Sequence, residues 1–246
     1  MIQDIINIAV EAGNIAKTSD RTVKKKADGS PVTTADIITS EYIVSKLKKF
    51  GVPILSEEDI VEGTHDTFFI VDPIDGTKGF INKEPAWTVN IALIKQNVPV
   101  LGVIVIPETN TTYYAEQGKG AYCTSQLHVN KNNDVNKVAC SKSHMHNVTK
   151  RMINDLQATI VPSSSSIKGC LLAQGDVEAY VRVTPVYGWD IAAMHVIIEE
   201  AGGKITGLDG NIIKYECRPQ LIEGFIASNM LTHDTLLQSY EINKRD

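Results

Sequence analysis

The sequence has few cysteines, no long apolar run and no excess of positive charge. Its four cysteines, at positions 123, 140, 170 and 217, are scattered without a C-x-x-C pair, which predicts reduced thiols rather than a disulfide framework or a zinc site. No apolar run approaches the length of a membrane span, and the amino terminus, which carries Asp4, lacks the basic leader of a signal peptide. We therefore expect a cytoplasmic protein without a transmembrane segment. The formal net charge of −5 does not suit a nucleic-acid partner.

The 246 residues, of which 43% are hydrophobic, are enough for one large domain or two lobes. The apolar pattern predicts helices over 2–17 and 33–50, and strands over 53–56, 87–95, 100–106 and 111–116 that form an antiparallel sheet against them. Shorter strands and helices then alternate, with helices over about 144–156 and from about 166, 190 and 230. The polar stretch near Asn130 predicts a boundary between an α+β lobe over 1–132 and an α/β lobe over 133–246.

The segment I-V-D-P-I-D-G-T-K-G-F (70–80) begins as an apolar strand and then turns acidic. Asp72 and Asp75 bracket a proline whose ring fixes φ, so two carboxylates meet on one rigid turn, and the carbonyl of Ile74 can add a third oxygen. Hard cations such as Mg²⁺ bind through oxygen ligands and are often shared with substrate phosphates. This turn therefore predicts a metal site.

Gly76 and Thr77 follow at an expected helix start, where free backbone N–H groups and the helix dipole favour a phosphate. The alternative is a plain helix N-terminus capped by Asp75. The spacing of acids excludes a Ca²⁺ loop of the EF-hand type. An aspartyl-phosphate phosphatase would have one residue between the two acids where this chain has two, so we expect water as the nucleophile.

Three further acids are open to two interpretations. Asp36 lies in the first turn of the second helix. Its carboxylate either interacts favourably with the helix dipole or projects toward the predicted metal site at Asp72 and Asp75. Glu57 follows a strand in the acidic run 57–59, which either completes the metal shell or forms a surface loop. Asp190 begins an apolar helix, either as a cap or as another metal ligand.

The cations and serines are also ambiguous from the sequence alone. We interpret the basic run 24–26 as a solvated loop, with weak steering of an anionic substrate as the alternative. Ser165 and Ser166 precede a helix, where they can cap it or bind phosphate. Lys168 and Arg182 stand alone in apolar sequence, where a buried cation needs a carboxylate or a phosphate as partner.

Three motifs, L-S-E-E-D (55–59), D-P-I-D-G-T-K-G-F (72–80) and G-W-D-I-A-A (188–193), resemble those of the lithium-sensitive, Mg²⁺-dependent phosphatases of the inositol monophosphatase superfamily. Within it, the chain is similar to the CysQ-type 3′(2′),5′-bisphosphate nucleotidases. The tracts that carry this similarity are S-P-V-T-T-A-D (30–36), T-V-N-I-A-L-I (88–94), S-S-I-K (165–168) and Y-V-R (180–182). Inositol monophosphatases tend to have Thr and Asn where this chain has Lys78 and Gly79. The resemblance covers nearly the whole chain.

The resemblance implies an α/β fold, a layered α/β/α/β/α sandwich of the sugar-phosphatase type with the site between the lobes. It implies two or three Mg²⁺ ions, with Li⁺ as an inhibitor. The implied metal ligands are Glu57, Asp72, the Ile74 carbonyl, Asp75 and Asp190. The implied catalytic residues, which orient and deprotonate the attacking water, are Asp36 and Thr77 together with Glu57. The implied substrate-binding residues are Asp75, Gly76, Thr77, Ser165, Ser166, Lys168, Arg182 and Asp190.

The first hypothesis from this resemblance is a phosphoric monoester hydrolase of sulfur metabolism that converts 3′-phosphoadenosine 5′-phosphate to AMP and phosphate. This hypothesis includes the 5′-phosphosulfate analogue as a second substrate. An inositol or sugar monophosphatase is the alternative. A non-catalytic metal- or phosphate-binding regulator, from a different class, predicts Mg²⁺ binding without phosphate release. Several family members are dimers, so a homodimer is expected, although no part of the sequence identifies its interface.

Overall fold

The computed structural model describes residues 1–26, 29, 31–60, 63–141 and 145–244. The helices are α1 (Ile2–Thr18), α2 (Thr34–Leu47), α3 (Thr77–Ile81), α4 (Asn147–Asp155), α5 (Ile167–Ala173), α6 (Gly188–Glu200) and α7 (His233–Asn243). The strands are β1 (Val23–Lys25), β2 (Pro31–Thr33), β3 (Ile54–Ser56), β4 (Thr67–Asp75), β5 (Thr88–Lys95), β6 (Val98–Ile106), β7 (Thr111–Glu116), β8 (Ala121–Tyr122), β9 (Lys137–Ser141), β10 (Thr159–Ser163), β11 (Ala179–Arg182), β12 (Val186–Tyr187), β13 (Lys204–Gly207), β14 (Leu221–Ile222) and β15 (Phe225–Ser228).

A six-stranded sheet in the order β3-β4-β5-β6-β7-β8 forms the first β layer. The pair β3–β4 is parallel, and the other neighbours are antiparallel. Helices α1 and α2 cover one face, because α1 presents a buried stripe that includes Ile5, Ala9 and Ala12 at helical spacing. The expected sheet and its two covering helices are therefore present.

Helix α6 covers the opposite face of this sheet and also contacts β13 of a second sheet. It is buried on almost every side, which is why its sequence shows no polar face. Its approach to β6 depends on Gly102, where an added Cβ would lie 2.5 Å from the Ala193 carbonyl oxygen and 2.6 Å from a Val196 methyl carbon. Helix α6 therefore has little freedom to shift relative to the sheet.

The second sheet has the order β10-β9-β11-β15-β13, in which β10, β9 and β11 are parallel and β15 is antiparallel to both of its neighbours, β11 and β13. Helix α5 packs against β9 and β11 beside α6, while α4 and α7 pair with each other and α7 contacts β15. The layers thus run from α1 and α2, through the large sheet, to α5 and α6, the second sheet, and α4 with α7. This arrangement confirms the predicted α/β/α/β/α sandwich. The lobe boundary between residues 132 and 133 stays a prediction.

Several predicted boundaries were wrong. Strand β6 begins at Val98 rather than at residue 100, because Gln96 and Asn97 both have positive φ and close a two-residue hairpin. Helix α7 begins at His233 rather than near residue 230, since Met230 has a φ of 73°. Helix α4 begins at Asn147; residue 144, where we expected its start, lies outside the described residues, as does Ser30 of the 30–36 tract.

The basic run 24–26 is not a solvated loop. Lys24 and Lys25 belong to strand β1, which pairs antiparallel with β2. Lys26, just beyond that strand, is partly buried and binds acidic side chains. No helix in the part of the chain that the structure describes is long and apolar enough to cross a membrane.

Candidate metal and phosphate site

A bulge in strand β4 brings two aspartates to the same face of the sheet. Side chains alternate across a strand, so residues three apart, such as Asp72 and Asp75, would ordinarily point to opposite faces. Here Asp72 pairs with Asn90 and Asp75 with Thr88, so three steps along β4 match two steps along β5. An extra residue in one strand of a pair re-aims the side chains that follow it. Asp72 and Asp75 therefore lie together, opposite Thr88 and Asn90.

Asp190 of α6 joins these two carboxylates from the middle layer. One carboxylate oxygen from each of Asp72, Asp75 and Asp190 lies within 4.8 Å of the others. The backbone N–H of Ile74 donates to Asp72 Oδ1 at 3.1 Å, and the backbone N–H of Tyr187 donates to Asp190 Oδ2 at 3.0 Å. Asp190 is thus a helix cap and at the same time a member of the carboxylate cluster, and its role as a metal ligand stays a prediction.

The cluster concentrates negative charge where Asp72 is buried and Asp75 and Asp190 are partly buried. Burial, followed by repulsion from Glu57, Asp75 and Asp190, raises the pKa of Asp72 well above its ordinary value. Burial, then Asp75 and Glu57, raise the pKa of Asp190 to about 7. Buried carboxylates without matching positive charge are costly, and a hard divalent cation with oxygen ligands removes that cost. The donor set therefore fits a divalent metal such as Mg²⁺.

Glu57 directly follows β3 and lies close enough to raise the pKa of Asp72, but it is not one of the three clustered carboxylates. Lys26 Nζ lies 2.6 Å from Glu57 Oε1 and 2.6 Å from Glu58 Oε1. Burial alone would lower the pKa of Lys26, yet Glu57 and Glu58 raise it. Lys26 thus supplies the positive charge beside Glu57, and no pattern in the sequence distinguishes it for this role from the two neighbouring lysines.

Asp36 and Thr77 lie next to each other at the edge of the cluster. Thr77 Oγ1 is 3.5 Å from Asp36 Oδ1 and 3.2 Å from the Ile74 carbonyl oxygen. Asp36 Oδ2 accepts bonds from the backbone N–H and hydroxyl of Thr33, which makes it a helix cap as well. Burial raises the pKa of Asp36. The carboxylate of Asp36 therefore projects toward the metal turn, as one of the two interpretations predicted.

Gly76 connects β4 to the short helix α3. Its φ of 94° is a left-handed conformation that favours glycine. An added Cβ would lie 3.3 Å from the Ala86 carbonyl oxygen and 3.4 Å from Ser165 Cβ. The chain is thus tightly packed where Gly76 and Thr77 follow the acidic turn.

The two predicted serines contact the cluster from the start of α5. The backbone N–H and hydroxyl of Ser166 lie 2.6 Å and 2.9 Å from Asp75 Oδ2. Ser165 Oγ lies 3.1 Å from Thr88 Oγ1, and the Ser165 carbonyl accepts a bond from Lys168 Nζ at 2.8 Å. Ser166 is only 2% exposed. The structure therefore brings both serines to the site but turns Ser166 toward a carboxylate.

A pocket of about 520 Å³ is lined by Lys168, Tyr180, Arg182, His146 and Cys140, among others. Lys168 Nζ lies 5.1 Å from the centre of the Tyr180 ring. Arg182 donates to the backbone carbonyls of Thr184 and Pro185 at 3.3 Å and 3.1 Å. Within the described ranges, neither cation forms an ion pair with a carboxylate, although Arg182 is near enough to Asp190 to lower its pKa against the larger effect of burial.

Three residues that contact the site were not predicted from the sequence: Lys26, Thr88 and Asn90. Thr88 and Asn90 occupy alternate positions in the apolar strand β5, and two polar residues on the same face of a buried strand were the available signal.

Tyr187 and Trp189 stack on each other with ring centroids 4.4 Å apart. Their facing surfaces are therefore already covered.

Comparison with known proteins places this chain among proteins of one family. The model of the inositol monophosphatase family matches residues 2–244. The 3′(2′),5′-bisphosphate nucleotidase CysQ of Escherichia coli K12 is 36% identical over 248 residues, which cover 93% of this chain and 99% of that protein. The 3′(2′),5′-bisphosphate nucleotidase CysQ of Aggregatibacter actinomycetemcomitans is 32% identical over 250 residues, which cover 94% of this chain and 91% of that protein.

Two solved structures are similar over almost their whole length. CysQ from Bacteroides thetaiotaomicron superposes with a TM-score of 0.81 at 32% identity and covers 93% of this chain and 97% of that one. The IMPase of Thermotoga maritima superposes with a TM-score of 0.83 at 27% identity and covers 98% of this chain and 96% of that one. A family model that spans nearly every residue, with relatives of this identity, leads to one conclusion: the chain belongs to the inositol monophosphatase family.

Proposed function

We propose that the chain is a Mg²⁺-dependent phosphomonoesterase that hydrolyses the 3′-phosphate of 3′-phosphoadenosine 5′-phosphate to give AMP and phosphate. The observation that carries this proposal is the carboxylate cluster of Asp72, Asp75 and Asp190 beside a pocket whose two cations form no ion pair with a carboxylate of the described residues. The similarity to CysQ proteins supports the choice of substrate.

The residues that would hold the metal are those of the cluster, the Ile74 carbonyl and Glu57. Two or three ions agree with the number of oxygen donors and with the uncompensated charge of the buried carboxylates. Mg²⁺, when bound, supplies positive charge that acidifies water and stabilises the leaving oxygen. Lys26 would weaken Glu57 as a ligand, since its ammonium group and the metal would compete for the same negative charge.

Asp36 and Thr77 would remove the proton of the attacking water. The Thr77 hydroxyl accepts a proton from water and donates its own proton to Asp36 Oδ1, 3.5 Å away. Burial raises the pKa of Asp36 and so makes it a better proton acceptor than an exposed aspartate. The proton thus moves from water to Asp36 without a change in the net charge of the threonine.

The scissile phosphate would lie against Gly76 and Thr77, where the left-handed Gly76 lets the backbone approach without a side chain in the way. The 5′-phosphate and nucleoside would occupy the pocket of about 520 Å³, a volume typical of small-molecule sites. Lys168 and Arg182 would bind the second phosphate, with Ser165 beside them. Tyr180 offers an aromatic surface in the same pocket.

A sugar or inositol phosphatase is the second candidate. The observation that favours it is the close superposition on the IMPase of Thermotoga maritima, at a TM-score of 0.83. A monophosphate has no second charged group, so it would make no use of both Lys168 and Arg182. The homodimer and the cytoplasmic location stay predictions, which analytical ultracentrifugation and cell fractionation would check.

Phosphate release from 3′-phosphoadenosine 5′-phosphate and from inositol 1-phosphate, measured side by side with Mg²⁺, tests the proposal. We expect faster release from the nucleotide, with inhibition by Li⁺ and none after removal of Mg²⁺ with EDTA. Preference for inositol phosphate would overturn the substrate while keeping the metal chemistry. Mg²⁺ binding without release from either substrate would support a non-catalytic binder instead.

A further inference from the structure

One oxygen of the Asp75 carboxylate receives all the hydrogen bonds that its neighbours make to this side chain. Besides the two bonds from Ser166, Asp75 Oδ2 has Asn90 Nδ2 at 3.3 Å and Thr88 Oγ1 at 3.4 Å. None of the hydrogen bonds among the described residues reaches Oδ1. The two oxygens of one carboxylate are thus in different environments, one bound by protein donors and one open.

Ser166 connects the two sides of the carboxylate cluster. Its hydroxyl is 2.9 Å from Asp75 Oδ2 and 2.9 Å from the Asp190 backbone carbonyl. A hydroxyl has one proton, so it donates to one of these oxygens at a time, while its backbone N–H stays on Asp75. Asp75 and Asp190 come from different layers of the fold. Ser166 therefore sets the separation of two carboxylate-bearing residues that no strand pairing connects.

Asn90 contributes through its NH₂ group alone. Nδ2 donates to Ser166 Oγ at 2.9 Å and lies 3.3 Å from Asp75 Oδ2, and the residue is 1% exposed. Its Oδ1 is buried and has no hydrogen-bond partner in the described part of the chain. A flipped amide would place this oxygen against the Asp75 carboxylate, which repulsion disfavours. The unpaired, buried Oδ1 costs free energy. The contacts of the NH₂ group are therefore what favours an amide at position 90.

We propose that Ser166 and Asn90 are positioning residues, which bind Asp75 Oδ2 and so reserve Oδ1 for the metal. This rests on the metal-dependent function proposed above and gives Ser166 a role other than substrate contact. Groups that orient a ligating carboxylate typically change metal affinity about 10- to 100-fold when removed. Because both residues act on the same oxygen, their effects should not be additive.

Titration of the metal-free protein with Mg²⁺ alone, with the heat of binding measured by calorimetry, tests this proposal. We expect Ser166→Ala and Asn90→Leu each to weaken Mg²⁺ binding about tenfold. The double variant should lose much less than the product of the two changes. Asn90→Leu keeps the side-chain shape and removes the unpaired oxygen, so it should fold even if Ser166→Ala does not.

Ser228→Ala is the matched control. Ser228 is also a buried serine, and its hydroxyl contacts His233 Nδ1 at 2.8 Å rather than a carboxylate. It should lower the melting temperature without a change in Mg²⁺ affinity. Mg²⁺ affinity within twofold of the parent in both site variants would overturn the proposal. If Ser166→Ala also raised KM while its Mg²⁺ affinity stayed normal, Ser166 would be a substrate-binding residue instead. Since no nucleotide is present in the titration, a wrong substrate assignment leaves its outcome unaffected.

Discussion

Neutralising Asp190 should stabilise the metal-free protein while removing its response to metal. The change is Asp190→Asn, which keeps an oxygen for the Tyr187 backbone N–H and removes only the charge. Burial, Asp75 and Glu57 raise the pKa of Asp190 from 3.8 to about 7. In the unfolded chain this carboxyl loses its proton near its ordinary pKa. The ionised group therefore disfavours the metal-free folded state at neutral pH.

The size of the effect follows from the shift in pKa. A shift of about three units at about 1.4 kcal/mol per unit sets an upper limit of about 4 kcal/mol. Asp190 is partly exposed and shares the repulsion with its neighbours, so we expect the variant to recover about 1–2 kcal/mol at pH 8. For a chain of this length, that is a rise in melting temperature of about 2–8 °C.

The dependence on pH has a definite sign. Below pH 4 the carboxyl is protonated in both states, so variant and parent should differ little. Between pH 4 and 7 the folded parent retains a proton that the unfolded chain releases, and the parent loses stability as pH rises toward 7. The advantage of Asp190→Asn should therefore grow over that range and stay constant above it.

Differential scanning calorimetry in EDTA at pH 4, 6 and 8 measures this directly. With Mg²⁺ at 100 times its Kd the parent should gain about 2.7 kcal/mol, and the order of stability should reverse because the variant binds metal poorly. Asp134→Asn, at an exposed aspartate, is the control and should change nothing. A variant less stable than the parent in EDTA at pH 8 would refute the reasoning.

Four further changes test other parts of the structure. Asp72→Asn should abolish Mg²⁺-dependent phosphate release while circular dichroism shows an intact fold; wild-type turnover would remove Asp72 from the metal site. Arg182→Ala should raise KM for the bisphosphate about tenfold or more, since a charged hydrogen bond is worth about 1.5–3 kcal/mol, and an unchanged KM would show that Arg182 does not bind the substrate. Lys26→Gln should destabilise the metal-free protein by about 1–2 kcal/mol and tighten Mg²⁺ binding in calorimetry, because Glu57 loses its competing cation; weaker binding would contradict that role. Gly102→Ala should cost about 1–3 kcal/mol in urea unfolding, given the 2.5 Å approach to the Ala193 carbonyl, and a cost near zero would show that α6 can move.

The parts of the fold that depend on local pattern were predicted well from the sequence. The amphipathic helix α1 and the strands β5 and β7 follow from the apolar pattern, and the three motifs led to the correct layered architecture. Asp72, Asp75 and Asp190 were expected together and lie together. For these elements, local propensity and burial agree with the tertiary fold.

The contacts between site residues that are far apart in the sequence could not be predicted. Lys26 and Glu57 are 31 positions apart in the sequence, and Ser166 and Asp75 are 91 apart. Nothing in the spacing of the sequence reveals which of three adjacent lysines pairs with an acid. The bulge between Asp72 and Asp75 is also invisible in the sequence, because it appears only when β4 is paired with β5. Such contacts depend on the register of distant elements.

The pocket and the carboxylate cluster draw on separate stretches of the chain. The described residues that line the pocket fall between Cys140 and Thr184, whereas the clustered carboxylates belong to β4 and α6. Substitutions within that single stretch can alter the shape and charge offered to a ligand while every clustered carboxylate stays in place. A lineage with this architecture can therefore acquire a new substrate by gradual change in one segment, and a chimaera that exchanges only residues 140–184 between two relatives should carry its donor's preference with it.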